Sequence, residues 1–135
     1  MKELQVRSKS RKQVLDITAD VEDLMASLLE KHPEGALLLF CQHTTAALTV
    51  NENADPTVKR DFLQHCETLV PRDAGFIHGE GNSDAHIQCI LTGPSLLLPV
   101  SGGRLALGVW QGIYFCEFDG PRTRRVQCQL LPALI

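Results

Sequence analysis

The sequence has no surplus of basic charge: 13 Lys and Arg stand against 16 Asp and Glu, a formal net charge of −3. A general nucleic-acid binder carries a basic excess to neutralise phosphates, so that class is disfavoured. Long hydrophobic runs are also missing. The longest, Ala36 to Cys41, falls far short of the roughly 20 residues a membrane-spanning helix needs, and no membrane role is expected. Met1-Lys2-Glu3 leads into polar sequence without a secretory apolar core, which points to a cytoplasmic protein. There is no Cys-x-x-Cys. The five cysteines, at 41, 66, 89, 116 and 128, are never closer than 12 positions, which speaks against a thiol-built zinc site or a redox pair. Most lie in apolar runs such as Phe40-Cys41 and Phe115-Cys116, where a buried reduced thiol is expected rather than a catalytic nucleophile. No internal repeat, low-complexity tract or Gly/Ser linker interrupts the chain. Its 135 residues read as one domain. A chain of this length buries about two thirds of its unfolded surface and needs no staple.

The elements follow from periodicity. Leu4-Gln5-Val6 and Val14-Leu15-Asp16-Ile17 read as two short strands joined by a polar turn, in which Lys9, Arg11 and Lys12 are expected to be solvated. Thr18 is placed as the cap of a helix with Asp20, Glu22 and Asp23 in its first turn, where acids suit the helix dipole. Val21, Leu24, Met25, Leu28 and Leu29 form one helical face, ended by Pro33 and Gly35. Ala36 to Gln42 reads as a central strand, which Ala46 to Val50 extends after a break. Asp55-Pro56 then opens a second helix, with Val58, Phe62, Cys66 and Leu69 on one face and Pro71 as its stop. Residues 71–85, polar and glycine-bearing, read as a long loop, and loops of that length in compact domains are usually functional. From His86 onward every run reads as strand: 87–91, 96–100, 105–109, 113–118 and 125–131. Pro99 demotes its strand to an edge or a bulge. The expected fold is α+β, a single domain with a mostly antiparallel sheet and two helices packed on one face.

Chemical potential concentrates in three stretches: His43-Thr44-Thr45 with Asn51-Glu52 and Asp55; residues 76–86; and Trp110-Gln111-Gly112 with residues 117–122. His43 directly follows a buried strand, where a rigid element presents a side chain to a cleft. The second stretch holds His78, Glu80, Asn82, Asp84 and His86 with Gly79 and Gly81. Three histidines can supply three neutral nitrogens to a divalent metal. The 78-to-86 spacing matches no helical ligand motif, and acid–base use without metal, or plain polar loop chemistry, stands beside the metal reading. Gly79, Gly81 and Asn82 also suggest backbone amides facing an anion, with Arg122 or Arg104 as the cationic partner. In the third stretch Gln111 and Glu117 share a strand face about 20 Å apart at roughly 3.3 Å per residue, too far to touch one small ligand. Glu117 and Asp119 face together, with a structural network and catalysis equally open. Trp110 is expected in the core.

Taken together, His43-Thr44-Thr45-Ala46-Ala47-Leu48, Asn51-Glu52 with Asp55, Gly81-Asn82 with Asp84-Ala85-His86, and Gly108-Val109-Trp110-Gln111 with Glu117-Phe118-Asp119-Gly120-Pro121-Arg122 occur in order. This pattern strongly resembles the YjbQ family, also called the secondary thiamine-phosphate synthase family, from Val6 to Leu131. A serine at position 83, where alanine is commoner, is a minor departure. The resemblance implies a soluble α+β domain assembled as a homotrimer with sites near subunit contacts. It also implies a weak thiamine-phosphate synthase activity, joining a pyrimidine-methyl diphosphate to a thiazole phosphate with release of pyrophosphate. On it, His43, His78, His86 and Glu52 are the expected catalytic residues. Thr44, Thr45, Asn51, Asn82, Gln111 and Arg122 are expected to bind a small phosphate-bearing substrate. His43, His78, His86 and Asp84 are the expected ligands of a divalent metal, zinc on the imidazole donors or magnesium on the diphosphate chemistry. Two other roles stay open: a non-catalytic trimeric anion-binding module, and a metal-dependent phosphate-ester hydrolase.

Overall fold

The computed structural model describes residues 1–134. The chain runs β1 (Lys2–Arg7), β2 (Gln13–Asp16), α1 (Thr18–Lys31), β3 (Gly35–Cys41), β4 (Ala46–Glu52), α2 (Pro56–Leu69), α3 (Ser83–Thr92), β5 (Ser95–Ser101), β6 (Arg104–Leu105), β7 (Gln111–Glu117) and β8 (Thr123–Pro132). Two antiparallel sheets result: a five-stranded one ordered β1-β8-β3-β5-β6 and a three-stranded one ordered β2-β7-β4. The single α+β domain stands as expected. The five-residue connection from β1 to β2 does more than turn the chain, because β1 and β2 enter different sheets. Likewise β4 does not extend β3; it leaves for the smaller sheet.

The smaller sheet is buried on both faces, and alternation along its strands sorts the core in two. Ala46 and Leu48 of β4 and Ile113 and Phe115 of β7 face inward with α1 (Val21, Met25, Leu29) and the five-stranded sheet (Leu37, Leu39, Val126, Cys128). Ala47, Tyr114 and Cys116 point the other way, onto Ala85 and Cys89 of α3 and Phe62 and Leu63 of α2. Two-sided burial is why β7 reads as an unbroken apolar run. It also corrects the helix count: α2 and α3 share one face of the small sheet, and α1 packs in the core on its other side.

Helix α3 replaces two sequence expectations, the end of the 71–85 loop and a strand over 87–91. Its inward face is Asp84, Ala85, Gln88 and Cys89, all buried, while Ile90 and Leu91 are exposed. Polar groups inside and aliphatic groups outside invert the usual helical pattern, so hydrophobic periodicity could not reveal it. Gln88 is tolerated inside because it is fully bonded. Its amide N–H donates to the carbonyls of Cys66 and Val70, and its Oε1 accepts from Lys12 Nζ at 2.7 Å. The helix starts fare differently. Asp55 caps α2 by accepting from Thr57 N–H at 2.9 Å, with Pro56 in the first turn, as expected. At α1 the expected cap Thr18 is the first helical residue, held by Asp16, whose Oδ1 accepts from its N–H and hydroxyl. The run 105–109 shrinks to the two-residue β6. Pro99 lies in β5 opposite Ala36.

Candidate functional site

One end of the fold gathers the ends of four strands. The loop after β3 carries Gln42 to Thr45, β4 begins at Ala46 beside Glu117 at the end of β7, and the turn 118–122 leads into β8. The N-terminus of α3 and the segment before it close the fourth side. A cleft of about 440 Å³ lies between them, lined by His43, Thr44, Thr45, His78, Glu80, Asn82, His86, Asp119, Arg122 and Arg124, with Gln42. Three histidines distant along the chain therefore meet one cavity. The rings of His78 and His86 stand edge to face with centroids 5.3 Å apart. The same pair borders a neighbouring, mainly apolar cavity of about 610 Å³ with Phe76, Ile77 and Ile87.

Behind the cleft lies a buried ionic network. Glu117 is wholly buried and Arg124 is 2% exposed. Arg124 Nε donates to Glu117 Oε1 at 2.9 Å, and its Nη2 donates to Glu117 Oε2 and to the Thr45 hydroxyl. Glu117 also accepts from the Ser8 hydroxyl at 2.7 Å and from Asp119 N–H at 3.1 Å. A buried pair survives only when its remaining bonding capacity is filled, as it is here. The result fixes the Thr45 loop and the 118–122 turn relative to each other. Gly120 completes the packing: a Cβ there would sit 2.6 Å from the Ser10 carbonyl and from Ser8 Oγ.

His43 is held in a defined state. Its Nε2 accepts from the N–H of Arg125 at 3.0 Å. Burial lowers its pKa, and the charge of Arg124 lowers it further. The ring is thus neutral at physiological pH with its proton on Nδ1, a donor and not a free lone pair. A metal bound at Nε2 would have to displace the Arg125 amide. Asp84 is similarly engaged. Arg11 reaches it through two bonds of 3.1 Å and Lys12 Nζ through one of 2.9 Å. Burial raises the carboxyl's pKa, but those hydrogen bonds and charges outweigh it and hold it at about 2. Arg11 and Lys12 are therefore not a solvated turn; they clamp the start of α3. Among the described residues no group of three His, Cys, Asp or Glu side chains converges closely enough to hold a metal ion.

The remaining candidates divide by position. Arg122 Nε donates to the carbonyl of Asp119, and its Nη2 lies 3.3 Å from the Asp119 carboxylate. Asn82 Nδ2 donates to the same carboxylate at 2.9 Å. Burial raises the Asp119 pKa, and the bond from Asn82 and the charges of Arg11 and Arg122 more than reverse that, so it stays ionised. Gly81 cannot offer its amide to an anion, since its N–H donates to the His78 carbonyl at 3.1 Å. Asn51, Glu52 and Gln111 are at the opposite ends of β4 and β7, where Glu52 pairs with Gln111. Six residues of strand, about 20 Å, separate them from the histidine cleft. Glu52 lines a second, open cavity with Asp55, Pro56 and Trp110, and Trp110 is 62% exposed, not in the core. Arg104 sits in a groove beside Glu22 and Glu30. Sequence reasoning missed Arg124, although a signal exists: it shares the inward phase of β8 with Val126, Cys128 and Leu130. All five thiols are free and four are buried. Burial pushes Cys116 up to about 12 and Cys128 to about 11, far from nucleophilic use at neutral pH.

These features define a class: a small two-sheet α+β protein whose polar cleft is built from strand ends and one helix start. The family model for UPF0047 protein YjbQ-like matches residues 2–133, and the chain belongs to that family. It is 46% identical over 133 residues to UPF0047 protein YugU of Bacillus subtilis, covering 97% of this chain and 98% of that protein. It is 40% identical over 127 residues to a UPF0047 protein of Methanocaldococcus jannaschii, covering 94% and 91%. A crystal structure of a YjbQ/UPF0047 protein from Clostridium acetobutylicum superposes with a TM-score of 0.92 at 41% identity, covering 97% of this chain and all of that one. A protein from Aeropyrum pernix gives 0.91 at 36% identity, covering 98% of each chain.

Proposed function

We propose that the histidine cleft binds the phosphate group of a small phosphorylated substrate and that the protein is an enzyme of the thiamine-phosphate synthase type. The observation that carries the reading is the meeting of His43, His78, His86, Asn82 and Arg122 around one cavity. Its donors suit an anion: the Nδ1–H of His43, the Thr44 hydroxyl, and the half-exposed guanidinium of Arg122. The adjoining apolar cavity suits the ring of a substrate whose charged end occupies the polar one. In the proposed reaction the thiazole nitrogen attacks the methylene of the pyrimidine diphosphate. The carbon–oxygen bond breaks, and the electron pair leaves on pyrophosphate. The protein's part is to stabilise that growing charge through the cleft's donors. The divalent metal belongs to the proposal as magnesium carried by the diphosphate, because His43 spends its lone pair on Arg125 and Asp84 is taken by Arg11 and Lys12.

The proposal includes a homotrimer. On the outer side of the five-stranded sheet, Phe40, Leu97 and Leu131 are 40%, 64% and 44% exposed in the single chain. They sit with Leu38 and Pro99 on strands whose apolar runs read as buried on both faces. Further copies of the chain would cover this face, and assembly offers a way for Glu52, Asn51 and Gln111 of one copy to approach the histidines of another. Five free thiols suit a reducing, cytoplasmic setting. No described helix is long and apolar enough to cross a membrane.

The test is steady-state formation of thiamine phosphate with magnesium, by the wild type and by alanine variants at positions 43, 78 and 86. Loss of turnover in all three is expected; unchanged turnover in all three would refute the assignment. Phosphate-dependent binding with no turnover by the wild type would favour the non-catalytic anion-binding module.

A further inference from the structure

Two buried side-chain atoms among the described residues lack a hydrogen-bond partner, Arg11 Nε and Asn82 Oδ1, and of the two residues only Asn82 lines the cleft. Asn82 is 8% exposed and lines the cavity, and its Oδ1 is buried with no hydrogen-bond partner. The amide cannot simply be turned over. Its Nδ2 donates to Asp119 at 2.9 Å, and exchanging the two atoms would set Oδ1 against a carboxylate. Asp119 is itself fixed, 3.4 Å from Arg11 Nε and 3.3 Å from Arg122 Nη2. Two charged residues thus dictate that Asn82 presents an oxygen. Buried polar atoms are almost always satisfied in folded proteins, so a lone one beside a cavity points to a partner that arrives with a ligand. The position also matters, since Asn82 directly precedes the first turn of α3, and none of the described hydrogen bonds uses the N–H of Ser83 or Asp84.

We infer that Asn82 Oδ1 accepts a hydrogen bond from an O–H carried by the bound oxyanion, so that the cleft selects protonated phosphate over an equally charged anion without a proton. The inference deepens the phosphate-binding proposal and rests on it. His43 Nδ1–H and Arg122 serve any oxyanion. Asn82 Oδ1, which no protein donor occupies, favours one that brings its own donor, beside the carboxylates of Glu80 and Asp119 in the same lining. An anion lacking that donor leaves the buried oxygen unpaired, and sites built to pair a ligand O–H reject analogues without it.

Inorganic phosphate and sulfate separate the two cases. Near pH 8 both are dianions of similar size, and only hydrogen phosphate carries an O–H. Titration of the full chain by calorimetry, with amide NMR shifts as a second readout, gives the two affinities. Phosphate is expected to bind about ten- to a hundredfold more tightly. In Asn82→Ala the ratio is expected to fall towards one through weaker phosphate binding, with sulfate changed less than about twofold. The wild-type ratio stands independently of whether the variant folds. Equal wild-type affinities, or a preference that survives in Asn82→Ala, would overturn the role of Asn82 while leaving anion binding intact. Failure of either anion to bind would overturn the anion reading itself, and this inference with it.

Discussion

Asp84 offers the sharpest quantitative test of how the site is held. Its side chain is fully buried, and two cations from the β1–β2 connection converge on it. Folding takes its pKa from 3.8 to about 2. At 1.36 kcal/mol per pH unit this corresponds to roughly 2.5 kcal/mol of stability at neutral pH. The folded pKa is the lower one, so the contribution is fully present above about pH 5 and is lost as pH falls from 4 towards 2. Asp84→Asn keeps the shape and removes the charge, leaving Arg11 and Lys12 without their anion on α3. Urea denaturation at pH 7 should show a loss of roughly 2.5 kcal/mol, rising towards 3–5 if the stranded cations cannot reach water. The gap between wild type and variant should narrow steadily between pH 4 and pH 2.5. A loss under about 0.5 kcal/mol at pH 7, or one that does not change with pH, would refute the claim that this clamp seats α3.

Gly120→Ala should cost about 1–3 kcal/mol, since the new methyl meets the Ser10 backbone carbonyl, which cannot swing aside; thermal unfolding measures it. Nitrogen-detected NMR of the imidazoles should find His43 protonated on Nδ1, with a titration midpoint below 6.5. Because folding lowers that pKa, the contribution of His43 to stability is present above pH 6.5 and declines as pH drops below it. A midpoint at or above 6.5 would contradict the burial of the ring and the Arg124 charge beside it. Thiol labelling of the native chain at pH 8 should be slow and confined to half-buried Cys66, with the other four cysteines reacting only on unfolding; mass spectrometry of the adducts decides this.

What the residues alone determined is the local part: α1 from its 3.6 spacing, the start of α2 from Asp55-Pro56, the paired strands from their short apolar runs, and the histidine-bearing stretches from polar density. The ordered motifs also sufficed to recognise the family, because matching residues in register carry information that periodicity does not. The tertiary structure decided everything that depends on partners far along the chain. Helix α3 was hidden because it buries Asp84 and Gln88 and exposes Ile90 and Leu91. Those polar groups go inside only because Arg11, Lys12 and the carbonyls ending α2 wait for them. The split of β3 and β4 between sheets, and the separation of Glu52 and Gln111 from the histidines, likewise follow from strand pairing. Spacing in sequence fixes which side chains share a face of one element. Only packing fixes which elements meet, and a site made from four strand ends and a helix start exists only at that level.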